Sequence, residues 1–165
     1  MKFTNPLIAS ALFLASQAAA QCRVFNFHVA NSAGPDLNGL VLQNYNGDAV
    51  VNAAPAPTVE AFWDDVAPVE LMANGIDGDG ADNFMLVPYG TNGIEQLVFA
   101  DFAVAEARFS DWAITDGLLT YGDVADRFYA FPYGAVEGAY TIRWVPAGLI
   151  TTTDSFPVDL QLVCP

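Results

Sequence analysis

Trp112–Gly122, "WAITDGLLTYG", decides the fold class. Asp116-Gly117 separates two short runs of apolar and β-branched residues. Asp-Gly in that position is a strong hairpin signal, because both residues tolerate the positive φ of a two-residue turn. Outward from this stretch the same pattern repeats. Asn46-Gly47 divides "LNGLVLQNY" from "DAVVN", and Asn92-Gly93 divides "NFMLVPY" from "IEQLVF". "RVFNFHVA", "PVELMA", "RFYAF", "AYTIRWV" and "FPVDLQLV" are further strand-like runs. About ten short strands at this spacing predict an all-β fold, a single-domain antiparallel β-sandwich or compact barrel. Phe99–Phe109, "FADFAVAEARF", fits helical spacing and alternation equally and stays open. "NAAPAPT", Asn52–Thr58, is a surface connector, since its two prolines are unsuited to a central strand.

The 165 residues suffice for one domain. Met1–Ala20, "MKFTNPLIASALFLASQAAA", places one lysine before a short apolar stretch and a run of small residues. That is the order of a secretory leader, and the apolar part is too short to span a bilayer. Cleavage after Ala20 is expected, leaving one β domain over residues 21–165 and an extracellular location. Lys2 leaves with the leader. Four arginines then face 19 acidic residues, a formal charge of −15. Such a surface repels phosphate backbones and anionic lipid, so nucleic acid and membrane are not expected partners.

Cys22 and Cys164 stand at the two ends of the mature chain. In an oxidising compartment an even pair reads as a disulfide. Cys22 precedes the first strand-like run and Cys164 follows the last. A bond between them predicts that these two strands lie close together and antiparallel.

Candidate chemistry is sparse. His28 is the one histidine, within the first strand pattern, where a side chain satisfied in the sheet accounts for it. Too few nitrogen and sulfur ligands exist for a zinc centre. Asp36, Asp48, Asp116 and Asp123 sit beside turns, where backbone hydrogen bonds explain carboxylates without catalysis. Glu70 and Glu95 lie within strands instead, and no pair of carboxylates can be chosen from spacing alone. Trp112 and Trp144 read as core residues, Trp144 sharing a face with Tyr140 and Ile142. Trp63, next to two aspartates in "EAFWDDV", is the aromatic expected to be more exposed and the candidate for carbohydrate stacking. "NGIDGDGADNF", Asn74–Phe84, brings Asp77, Asp79 and Asp82 together. An EF-hand loop would need a third aspartate where Ala81 stands and a glutamate six residues after its glycine. A plain acidic turn therefore competes with a non-EF calcium site, and no other cofactor is expected.

The segment Trp112–Pro146 resembles secreted fungal proteins of the phialide cell-wall protein group, at Trp112, Gly117-Leu118, Ala130-Phe131-Pro132 and Trp144. The leader and "FNFHVANSAG", Phe25–Gly34, are similar too. The group often carries cysteine where this chain has Phe131. The resemblance implies a cell-wall or secreted surface protein, with wall polysaccharide or a host surface as partner. Some related proteins act as elicitors on plants. The resemblance carries no catalytic residues.

Overall fold

The computed structural model describes residues 22–31, 33–64, 70–75, 80–101, 104–149 and 151–165; the leader-like segment 1–20 and Gln21 lie outside them. The described residues form strands and turns without a helix. In chain order the strands are β1 (Asn26–Ala30), β2 (Gln43–Tyr45), β3 (Asp48–Val51), β4 (Ala61–Asp64), β5 (Glu70–Asn74), β6 (Ala81–Tyr89), β7 (Ile94–Ala100), β8 (Trp112–Thr115), β9 (Leu118–Tyr121), β10 (Phe128–Pro132), β11 (Tyr140–Trp144), β12 (Phe156–Pro157) and β13 (Asp159–Val163).

Two of the three Asx-Gly pairs between strand-like runs take paired positive φ, and at Asn92-Gly93 only the glycine does. Asn46 and Gly47 adopt φ of 54° and 93° between β2 and β3, and Asp116 and Gly117 adopt 53° and 79° between β8 and β9. Paired positive φ values match the right-handed twist of the flanking strands. The open stretch Phe99–Phe109 resolves against a helix in its described part. Phe99 and Ala100 end β7, Glu106 takes φ 64°, and Arg108 pairs with Leu86 of β6 through two backbone hydrogen bonds of 2.8 Å. A left-handed residue ends a right-handed helical path. Phe102 and Ala103 lie outside the described residues.

All pairings are antiparallel and fall into two sheets. The smaller has the order β1-β13-β9-β8. The larger runs β12-β10-β11-β3-β7-β6-β5-β4, with β2 beside β3. β3 is short and enters a fork: Asp48 pairs with Val98 of β7, while Val50 and Val51 pair with Thr141 and Tyr140 of β11. Below the fork β7 and β11 pair directly, Glu95 with Trp144 and Gln96 with Arg143. The curled large sheet meets the small one at both margins. At the β4 margin, Phe25 and Ala61 exchange hydrogen bonds of 2.9 and 2.7 Å. At the β12 margin, the chain crosses at Val158 from β12 in the large sheet to β13 in the small one. Strands that switch sheets make the corners of such a closed sandwich.

β1 and β13 pair in register from Asn26↔Val163 to Ala30↔Asp159, and Cys22 is bonded to Cys164 with a Cα–Cα distance of 5.8 Å. The antiparallel neighbours expected from the cysteines are therefore present in one sheet. With the cysteines 142 positions apart in the chain, the chain-entropy model gives about 5 kcal/mol of stabilisation.

Between the sheets the core is aromatic and continuous. Phe25, Phe27, Phe84, Trp112, Tyr121 and Trp144 follow one another edge to face, at centroid distances of 5.5, 5.8, 6.2, 5.0 and 5.8 Å. Edge-to-face contact sets the positive ring edge against the negative face, contributing beyond simple area burial. Trp112 donates its indole N–H to the Phe84 carbonyl at 3.0 Å. Alternation places Leu97 and Phe99 of β7, Phe128 and Ala130 of β10, and Tyr140, Ile142 and Trp144 of β11 on this core face. The intervening residues face outward, and there two smaller apolar clusters form, one around Val50, Ala53 and Ala139, the other around Ile94, Phe131 and Val145.

Candidate functional site

The aspartate loop is only partly described. Asp77 and Asp79 lie outside the described residues; Asp82 is on β6, opposite Ala73 of β5. Among the described residues no group of three or more histidine, cysteine, aspartate or glutamate side chains is placed to hold a metal ion. His28 is half-buried on β1 opposite Gln161, consistent with a sheet residue.

Trp63 is on β4, opposite Leu71, and packs against the main core from the margin of the large sheet. Its exposure is intermediate rather than high. Only Ala61 of this strand bridges to Phe25, and alongside lies an open groove of about 520 Å³ lined by Cys22, Arg23, Val24, Phe62 and Trp63. The disulfide fixes the chain opposite β4, so the groove wall is tied to the closure of the fold. An indole held by the core on one side and bordering open space on the other can stack on the apolar face of a sugar. Arg23 adds an exposed cation.

A second cleft, of about 470 Å³, occupies the outer face of the large sheet. Its centre is Arg143 of β11, which alternates with Ile142 and Trp144 and so points away from the core. The guanidinium carbon lies 3.6 Å from the centroid of the Tyr89 ring and 4.7 Å from that of Phe131. Tyr89 ends β6, Phe131 belongs to β10, and Ile94 forms part of the floor. The loop after β11 supplies Thr152 and Asp154; it is tied down by the Ser155 hydroxyl, which donates to the Thr152 carbonyl at 2.8 Å.

On the core face, where β7 pairs with β11, sits the most perturbed carboxylate among the described residues. Glu95 of β7 is 5 % exposed, and Arg108 Nε lies 3.0 Å from its Oε1. Burial pushes its acid above the usual carboxylate range, and Arg108 partly opposes that. Its Oε2 and the indole nitrogen of its cross-strand neighbour Trp144 are both buried without a hydrogen-bond partner. Tyr121 is also raised by burial, with Arg108 beside its hydroxyl acting in the other direction. Glu95 thus stands out among the two strand glutamates, and its held partner is a cation rather than a second carboxylate.

The turn aspartates divide. Asp36 accepts from the Asn38 backbone and amide at 3.2 and 3.0 Å, and Asp116 and Asp123 take positive φ, as turn residues do. Asp48 does more than its turn position implies. It accepts hydrogen bonds from Gln96 of β7 and from the Tyr133 hydroxyl, the latter at 2.8 Å, and so pins β3 in its fork. Burial, followed by the hydrogen bond to Asp48, pushes the Tyr133 phenol up to about 12.

Reading the sequence did not single out Arg143 or Tyr89, and marked Phe131 only as the residue standing where the wall-protein group often has cysteine. One signal was available: alternation in "AYTIRWV" puts Arg143 on the face opposite Tyr140, Ile142 and Trp144, and it is one of only four arginines. The two rings come from strands far apart in the chain. No family model, curated protein or solved structure matches this chain.

Proposed function

We propose that this is a secreted extracellular or cell-wall-associated protein without catalytic activity, which holds polysaccharide on its aromatic surface. The leader-like Met1–Ala20 and the Cys22–Cys164 bond support an oxidising, extracellular setting. The resemblance of Trp112–Pro146 to wall proteins supports the same class. Recognition of such a surface protein by a host would follow from its exposure.

The observation that carries the binding reading is Trp63, anchored by the core and bordering the groove with Phe62 and Arg23. Sugar rings present C–H faces that pack on indole, while their hydroxyls stay hydrated at an open site. Retention on insoluble β-glucan and chitin tests it. Trp63→Ala is expected to lower retention about tenfold and Trp63→Phe to keep most of it, the loss of one stacking contact being worth roughly 1.4 kcal/mol. Equal retention of wild type and Trp63→Ala would dismiss the groove. A panel of glycan and peptide substrates at mildly acidic pH addresses activity, and turnover dependent on Glu95 would replace this reading with a hydrolytic one.

A further inference from the structure

We infer that the Arg143 cleft is a binding site for a carboxylate-bearing sugar, a uronate residue, whose close contact with the guanidinium acts against the general repulsion of anions by this acidic surface. This site shares no residue with the Trp63 groove.

Arginine is the natural partner of a carboxylate because its donors form a planar fork. In this chain Arg108 and Arg127 already sit beside carboxylates, Glu95 and Asp126 at 3.0 and 3.6 Å. Among the described residues Arg143 has no ion pair, and its Nε is buried without a hydrogen-bond partner. It is held instead by aromatic rings, at 3.6 and 4.7 Å. The rings hold the guanidinium in place, and with Nε buried it is the terminal amino groups that are left to meet a carboxylate. The cation is thus positioned in advance and forms no ion pair among the described residues.

The rest of the cleft selects the kind of anion. Tyr89 is 46 % exposed, so ring surface remains beside the guanidinium for a sugar to lie against. Thr91, Asn92 and Thr152 supply neutral hydrogen-bonding groups for hydroxyls, and Asp154 accepts hydrogen bonds from them. A single cation among hydroxyl-binding neighbours matches a monoanion rich in hydroxyls. Asp154 and the surrounding field oppose any anion, and a doubly charged phosphate more strongly than a singly charged uronate.

Calorimetry with oligogalacturonate and its fully methyl-esterified form tests this on the same chain. The experiment runs in about 0.15 M salt, where the Debye length of about 8 Å screens the distant surface charge. The acid form is expected to bind about tenfold more tightly than the ester, the scale of one well-placed ion pair. Arg143→Gln is expected to erase that difference, and Arg143→Lys to recover only part of it, because lysine keeps the charge and loses the fork. Trp63→Ala is expected to leave the difference unchanged. Equal binding of acid and ester by the wild-type protein would overturn the inference, as would no binding of either, and neither result needs a variant that folds. An acid preference that survives in Arg143→Gln would overturn it as well. Failure of the Trp63 reading shows separately, as β-glucan and chitin retention indifferent to Trp63→Ala.

Discussion

Strands β7 and β11 carry two solutions to one problem on their two faces. Glu95 and its neighbour Trp144 point into the core; Gln96 and its neighbour Arg143, one residue along each strand, point out. Inside, a charge is met by an opposite charge, Glu95 by Arg108. Outside, a charge is met by rings, Arg143 by Tyr89 and Phe131. The inner pair spends its donors on the protein, whereas the outer guanidinium forms no ion pair among the described residues. The difference teaches that a structural ion and a receptive ion can sit one residue apart, and that the partners of each, rather than its burial alone, tell them apart.

Four substitutions order the two faces by energy. Phe84→Ala on the core face removes a ring that touches Phe27, Phe99 and Trp112, and should cost about 4 kcal/mol in denaturant unfolding. Phe131→Ala on the outer face should cost about half of that, because its cluster is small and borders a cleft. Equal costs would mean that the outer face is a second core. Next comes Arg108→Met. It leaves the buried Glu95 carboxylate without its cation, so about 2 kcal/mol should be lost near neutral pH, less than for a fully buried pair because Arg108 is half exposed.

That loss must depend on pH. Glu95 is raised in the folded state, so its protonated form is favoured by folding. Its contribution is fully present below the ordinary glutamate range and is lost as pH rises through its folded value. Removing Arg108 takes away the influence that lowers it, so the Arg108→Met penalty should shrink on acidification. Melting temperatures measured from neutral pH down to about pH 4 would show this, and Glu95→Gln should flatten the slope. A penalty constant over that range would mean that Arg108 matters for packing alone. The smallest effect belongs to Arg143→Met, about 1 kcal/mol or less, as expected of a cation–π contact at an open site. It should not vary with pH over the same range. A larger cost would make Arg143 a structural residue like Arg108 and weaken its case as a receptor.

Much of the architecture could be read from local chemistry. Asn46-Gly47 and Asp116-Gly117 made their hairpins because few other residue pairs accept two positive φ values in succession. The terminal cysteines placed β1 beside β13 because a disulfide brings Cα atoms to within a strand spacing or so. The partition into sheets was not legible. It depends on Val158, where a run of alternating residues that reads as one strand serves two sheets, and on the fork that admits β3. Trp63 was found from sequence as the aromatic beside charge, though its ring turned out to be half-buried against the core. The Arg143 cleft was missed because its rings, Tyr89 and Phe131, come from strands 54 and 12 residues away in sequence and meet it only through sheet order. Glu95 was noted as a strand carboxylate, but nothing local announced that Arg108 would reach it from beyond a turn.

The bond between Cys22 and Cys164 also decides how the domain would behave as a link under load. Any chain attached before Cys22 and any chain attached after Cys164 would leave from one corner of the molecule, 5.8 Å apart at the Cα atoms. Tension between them would run through sulfur rather than through the β1–β13 ladder. Neither sheet would be pulled open, and the clefts around Trp63 and Arg143 would keep their shape while the anchor is stretched.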